Sequence, residues 1–187
     1  MTSRLTIGPT SLDGMKLIQR KPTVDDRGLF ERLFCLDELA AQNIQMRILQ
    51  ANRTLTVREG AVRGMHFQHP PHAETKIVSC LAGRVFDVAI DLRHGSPTFL
   101  RWHAEELSAE NHKSLLIPAG FAHGFQTMAP DCQLLYFHDK TYAPEAEGGI
   151  SPVDPAIAIS WPLPITEMSP RDRNQPALPS DFKGIGP

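Results

Sequence analysis

The apolar residues of this 187-residue chain fall in short runs with a period near two, broken repeatedly by Gly, Pro, Asn or Asp. That pattern predicts half-buried β-strands joined by turns. The segment 15–20 alternates weakly and predicts a first strand. Lys21-Pro22-Thr23 ends it, Asp25-Asp26-Arg27-Gly28 reads as a turn, and 29–34 as the next strand. Asp37 is placed to cap a short helix over 38–42, the one segment with a helical start. Strand-like runs then follow at 45–56, 62–68, 76–81, 85–92, 99–107, 114–117, 121–127 and 133–138. Ser108-Ala109-Glu110-Asn111 could begin a helix, but its place between strands predicts a hairpin loop. From Ala143 onward prolines dominate and predict an irregular tail laid over the body. There is no internal repeat.

Many short strands, one or two short helices and Gly/Pro turns predict an all-β sandwich or barrel, with the jelly roll foremost. Inward side chains at every second position would line a pocket between the walls. The length predicts one domain, 1–187, with chain enough for a sizeable core. A net charge of −2 with no basic run excludes nucleic acid as a general partner. No apolar run reaches membrane-spanning length, and residues 1–20 lack the apolar centre of a signal peptide. The three cysteines are widely spaced and have apolar neighbours, which predicts buried free thiols and a reducing cytoplasm.

The chemistry concentrates in Val62-Arg63-Gly64-Met65-His66-Phe67-Gln68 and the strand that starts at Lys76. A permanent cation, a group titrating near neutrality and a flexible cation are the equipment for holding an anion and moving a proton. A basic edge strand with a solvated histidine is the plain alternative. Strict alternation sets Arg63 on the face opposite His66, so both can line one pocket only if Gly64 permits a bulge or the strand bends.

A second signal is Ile117-Pro118-Ala119-Gly120-Phe121-Ala122-His123-Gly124-Phe125. Its Pro-x-Gly-x-x-His core resembles the second motif of the cupin superfamily, which has a jelly-roll fold. Period two puts Phe121, His123 and Phe125 on one face. Metal-binding cupins carry His-x-His in their first motif, and here His66-Phe67-Gln68 stands instead. Glutamine is a poor ligand for soft transition metals. His66, Glu74 and His123 form the alternative set, that of a metal-dependent cupin enzyme.

The ordered set Arg63 to Gln68, Lys76, Phe86 to Arg93, Gly95 to Phe99, Leu107 to Asn111, Ile117 to Phe125, Tyr136 and Ser169-Pro170-Arg171-Asp172 closely resembles the dTDP-4-dehydrorhamnose 3,5-epimerase family. The resemblance covers about residues 15–176. It implies a cupin-type jelly roll without a catalytic metal or cofactor, a dTDP-sugar as substrate, and a homodimer. The implied reaction inverts C3, C5 or both in a dTDP-4-keto-6-deoxyhexose through an enolate.

By that resemblance His66 is the base, Tyr136 the proton donor and Lys76 the cation beside the ketone. Asp172 matches the family's carboxylate partner of the base, while Asp87 is nearer in sequence, and the sequence alone leaves the two unranked. His123 falls at a substrate-contacting position. Arg27, Arg63, Gln50, Asn52, Glu147 and Arg171 match substrate-binding positions on the nucleotide side. Arg32, also assigned there, stands where many members have a glutamate. The segment Gly149 to Pro155 lacks a tryptophan and an aspartate common at that place. A non-catalytic sugar-nucleotide-binding jelly roll is the remaining alternative.

Overall fold

The computed structural model describes residues 3–186. In chain order the elements are β1 (Leu5–Pro9), β2 (Lys16–Arg20), β3 (Thr23–Asp25), β4 (Gly28–Phe30), α1 (Leu36–Ala40), β5 (Gln50–Thr56), β6 (Val62–Gln68) and β7 (Lys76–Ala82). They continue with β8 (Arg84–Asp91), β9 (Trp102–Ser108), β10 (Lys113–Ile117), β11 (Phe121–Thr127), β12 (Cys132–His138), β13 (Glu147–Gly149) and α2 (Pro170–Arg173). A six-stranded sheet has the order β1-β2-β10-β7-β12-β5, and a five-stranded sheet the order β13-β6-β11-β8-β9. Neighbouring strands in both sheets run antiparallel. This is the all-β jelly-roll architecture that the alternation predicted.

Each sheet is covered on both faces. Between them lies a core of Val78, Cys80, Leu115, Ile117, Leu134 and Tyr136 from one sheet against Val85, Ala89, Leu107, Phe121 and Phe125 from the other. All of these sit at alternate positions of their strands, so the period-two pattern is the inner face itself. On the far side of the five-stranded sheet, Met65, Phe67, Val88 and Ile90 pack under Ile157, Trp161, Phe182 and Ile185 of the irregular tail. On the far side of the six-stranded sheet, Ile18, Ile77 and Leu116 are covered by Leu39 of α1 and by Met46. The sandwich is therefore filled at its centre and along both flanks. Space remains where β5, β6, β7, β11 and β12 meet.

Some local expectations are corrected. α1 begins two residues earlier than predicted: Cys35 is its N-cap, no side chain caps it, and Asp37 lies within the first turn. Strand pairing starts only at Gln50, so residues 45–49 are not part of β5. β4 ends at Phe30, because its only partner is the three-residue β3. α2 was not predicted, although Ser169-Pro170 is a helix start: Ser169 Oγ accepts the Asp172 N–H, and proline occupies the first turn. Cys80 and Cys132 are buried and free, as expected, while Cys35 is free but only half-buried. Among the described residues no helix is long and apolar enough to cross a membrane.

Candidate active site

Gly64 determines the geometry of β6. In the pairing of β6 with β11, Arg63 lies opposite Phe125 and His66 opposite His123. Three residue steps on β6 thus match two on β11, which is a β-bulge. The bulge restores Arg63 to the face of His66, as the pocket requires. Gly64 has φ +126°, outside the range that L side chains readily adopt. A Cβ there would lie 2.6 Å from Gly124 Cα and 2.8 Å from the His123 carbonyl oxygen. Glycine therefore permits both the turn of the backbone and the close approach of β11.

The result is a cavity of about 230 Å³ between the two sheets. Arg63, His66, His123 and Phe125 line it from the five-stranded sheet, and Asn52, Thr54, Lys76, Tyr136 and His138 from the six-stranded sheet; Arg171 of α2 closes the rim. A neighbouring cavity of about 140 Å³ shares Asn52, His66 and His138 and adds Gln50, Gln68, Glu74, Lys140, Tyr142 and Glu147. A wider groove on the other side shares Arg63 and Arg171. Arg63, Lys76, Arg171 and three histidines among the lining side chains suit an anionic, hydroxyl-rich ligand.

His66 and Asp172 form the closest polar contact in the cavity. His66 Nε2 is 2.6 Å from Asp172 Oδ1. Asp172 is buried at the first turn of α2, and its second oxygen accepts the Gly64 N–H at 3.4 Å. Burial opposes ionisation of Asp172, but the His66 hydrogen bond and charge, with the Gly64 N–H, outweigh it and hold the carboxyl below its usual range. Arg171 Nη2 also stands 3.0 Å from His66 Nε2. One nitrogen cannot donate to the carboxylate and accept from the guanidinium at once. The shorter contact to a buried anion assigns the Nε2 proton to the Asp172 bond, which leaves Nδ1 as the nitrogen that can take up a proton. Arg171 is fixed by Glu147 Oε1 at 2.8 Å and contributes its charge.

Asp87 and Asp172 are thereby told apart. Asp87 is fully buried, and both its oxygens are 3.0 Å from His123 Nε2. Each histidine has its own carboxylate, and Asp87 does not orient His66. Tyr136 lies on the inner face of β12, edge-on to His123 and parallel to the His138 ring. Burial, then the charge of Asp87, raises the Tyr136 hydroxyl above its ordinary value, so it is a neutral donor. Lys76 is buried at the start of β7 with its Nζ 2.7 Å from Glu74 Oε1.

Two assigned residues lie elsewhere. Arg27 sits at the tip of the β3–β4 hairpin, 90% exposed, bonded among the described residues to Asp25 alone, and lines no wall of the cavity. Arg32 pairs with Glu38 at 2.6 Å beside α1. Neither joins the site within its own chain. The alternative metal set of His66, Glu74 and His123 is not brought together either. Glu74 is held by Lys76 and Gln68, His123 by Asp87, and among the described residues no three His, Cys, Asp or Glu side chains are grouped to hold a metal. Thr54 and His138 line the cavity and were missed, although each lies two residues from an assigned one, Asn52 or Tyr136, on the same strand. Alternation alone would have found both.

The same chain matches known proteins along nearly its whole length. Residues 9–180 match the family model of dTDP-4-dehydrorhamnose 3,5-epimerase. A dTDP-4-dehydrorhamnose 3,5-epimerase of Sinorhizobium fredii is 41% identical over 169 residues, 90% of this chain and 87% of that protein. The epimerase of Legionella pneumophila, solved with dTDP-4-keto-L-rhamnose, superposes with a TM-score of 0.89 at 36% identity, over 97% of this chain and 98% of that one. A 3'-monoepimerase of Streptomyces bikiniensis superposes with a TM-score of 0.84 at 31% identity, over 90% and 86%. The chain belongs to the dTDP-4-dehydrorhamnose 3,5-epimerase family.

Proposed function

We propose that the protein epimerises a dTDP-4-keto-6-deoxyhexose at C3, C5 or both, by proton removal and return through an enolate. The observation that carries this reading is the opposition of acid and base: His66, hydrogen-bonded to Asp172 of α2, projects from one sheet, and Tyr136 and Lys76 from the facing sheet, into one cavity. Inversion needs a proton taken from one face of a carbon and returned to the other. The hydrogens at C3 and C5 flank the C4 carbonyl, so loss of either gives an enolate. Neutral His66 accepts the proton, and Asp172 stabilises the imidazolium that forms. Lys76 supplies positive charge where the enolate oxygen develops. Tyr136, kept neutral by burial, donates from the opposite wall. Arg63 and Arg171 suit the diphosphate, with Gln50, Asn52 and Glu147 towards the nucleoside.

The same reading includes a homodimer. β3 and β4 form a two-stranded sheet of their own, with Val24, Leu29 and Phe30 58–73% exposed. An isolated hairpin is marginal in water, and its exposed apolar side chains ask for a second chain. Arg27 at its tip would then serve the partner's cavity. The free thiols suit a reducing cytoplasm.

The test is incubation with dTDP-4-keto-6-deoxyglucose in deuterated water, with label read by position. Wild type incorporates deuterium at C3, C5 or both and inverts those carbons. His66→Ala loses exchange and inversion together. Tyr136→Phe retains exchange and loses most inverted product, by about 10²–10⁴-fold. Wild-type exchange in His66→Ala would overturn the assignment of the base. Nucleotide binding without any exchange in wild type would leave a sugar-nucleotide-binding module.

A further inference from the structure

The buried carboxylate behind Lys76 has no part in the mechanism so far. Glu74 and Lys76 form an ion pair whose side chains are 8% and 7% exposed, with Oε1 to Nζ at 2.7 Å. The other carboxylate oxygen, Oε2, accepts the Gln68 amide Nε2 at 2.9 Å. Gln68 is itself fixed in orientation. Its Oε1 accepts the Ala143 N–H at 2.7 Å, and its Nε2 also donates to the His72 carbonyl at 3.0 Å. Two donors, an amide and an ammonium, therefore converge on Glu74, one at each oxygen. Only an acceptor-only group satisfies both. A glutamine at position 74 would turn its own NH₂ against one of them.

We infer that Glu74 is a positioning residue, which holds the Lys76 ammonium at the cavity wall and keeps it on the ketone end of the substrate. The inference rests on the epimerase reading above. Lysine is a point charge on a flexible stem, and the bound diphosphate is the larger anion nearby. Left unheld, the ammonium is drawn towards that greater charge. Glu74 opposes this from behind, and Gln68 stops the carboxylate from following. The remaining Nζ hydrogens stay directed into the cavity, ready for the enolate oxygen, so the stabilising charge needs no rearrangement during reaction.

The experiment compares Glu74→Gln, Lys76→Gln and the double variant with wild type, using dTDP-4-keto-6-deoxyglucose. Glu74→Gln lowers kcat for solvent exchange and inversion in parallel, on the order of 10²-fold, the loss expected from a displacement of ~1 Å. Its KM stays level or falls, because the freed ammonium still serves the diphosphate. A merely structural loosening of the pocket would raise KM instead. Lys76→Gln is slower still, and adding Glu74→Gln to it costs no further activity, since the first change has nothing left to position. Glu74→Asp, which keeps the negative charge, recovers part of the lost kcat; it also carries the test if Glu74→Gln does not fold. Wild-type kcat in Glu74→Gln, a raised KM with kcat intact, losses that multiply in the double variant, or an Asp variant no better than Gln would each overturn the inference. If wild type itself neither exchanges nor inverts, the epimerase reading fails and this inference falls with it.

Discussion

Arg63 and His66 stand on the same face of one strand although they are three steps apart in sequence. The bulge between them is what converts a basic strand into half of a binding cavity. Gly64 makes it possible, and replacement by alanine tests it. The added Cβ meets Gly124 and the His123 carbonyl at contact distances no real Cβ tolerates, at a φ that alanine avoids. Gly64→Ala is expected to cost about 3 kcal/mol of stability, readable by denaturant unfolding. The fraction that folds should lose solvent exchange, since Arg63 and His66 can no longer share the face. A stable, active Gly64→Ala protein would show that the bulge is incidental.

The two carboxylates give a second contrast. Asp172→Asn removes the charge 2.6 Å from His66 Nε2 and offers an amide NH₂ in its place. Exchange and inversion should both fall by about 10²–10⁴-fold with little change in KM. Asp87→Asn removes the fully buried carboxylate behind His123 and should lower stability by about 1–3 kcal/mol while leaving more of the exchange activity. The reverse ranking in the exchange assay would mean that Asp87, not Asp172, supports the base.

The strands of the sandwich were legible because each has a partner and a face. Residues such as Phe121, His123 and Phe125 announce one inner face by alternation. The bulge at Gly64 was legible as a requirement: two residues of opposite parity were both needed in one pocket. What was not legible depended on distant pairing. Leu5–Pro9 becomes a strand only because β2 lies beside it, and Glu147–Gly149 only because β6 does. The partner of His66 comes from a helix of four residues far along the chain, too short to show a period. Arg27 and Arg32 carry the right charge, but nothing local to them reveals which cavity, if any, they face.

His138 predicts the acid limb of stability. Burial, then the positive charge of Lys76, pushes its imidazole down to about 4. The folded protein thus keeps His138 neutral where the unfolded chain, near 6.5, binds a proton. The unfolded state takes up more protons between these values, so stability is full above about pH 6.5 and declines as pH falls towards 4. His103, lowered by burial, acts in the same direction. The paired carboxylates act lower: Glu38 and Asp91, both held near 2, lose their contribution only below the ordinary carboxylate range. Replacing His138 by phenylalanine should therefore flatten the stability profile between pH 6.5 and 4 and leave the steeper loss below it. An unchanged slope in that window, measured by urea unfolding, would show that His138 is charged in the folded state.

The β3–β4 hairpin carries the last prediction. Among the described residues nothing covers it: Val24, Leu29 and Phe30 are exposed, the two strands pair with each other, and Arg27 at the turn is bonded to Asp25. A second copy would bury the apolar side chains and carry Arg27 towards an anionic ligand held in that copy. These two functions of the hairpin separate by mutation. Leu29→Ser with Phe30→Ser removes apolar area without touching the cavity, and the protein should shift from a dimeric to a monomeric mass at micromolar concentration. Arg27→Ala should remain dimeric. If its guanidinium meets the partner's diphosphate, KM should rise by about 10- to 100-fold, in keeping with ~1.5–3 kcal/mol for a charged hydrogen bond, while kcat changes little. A monomeric wild type would remove the dimer and with it the role of Arg27. A dimeric wild type whose Arg27→Ala variant keeps the native KM would retain the interface and exclude the arginine from the site.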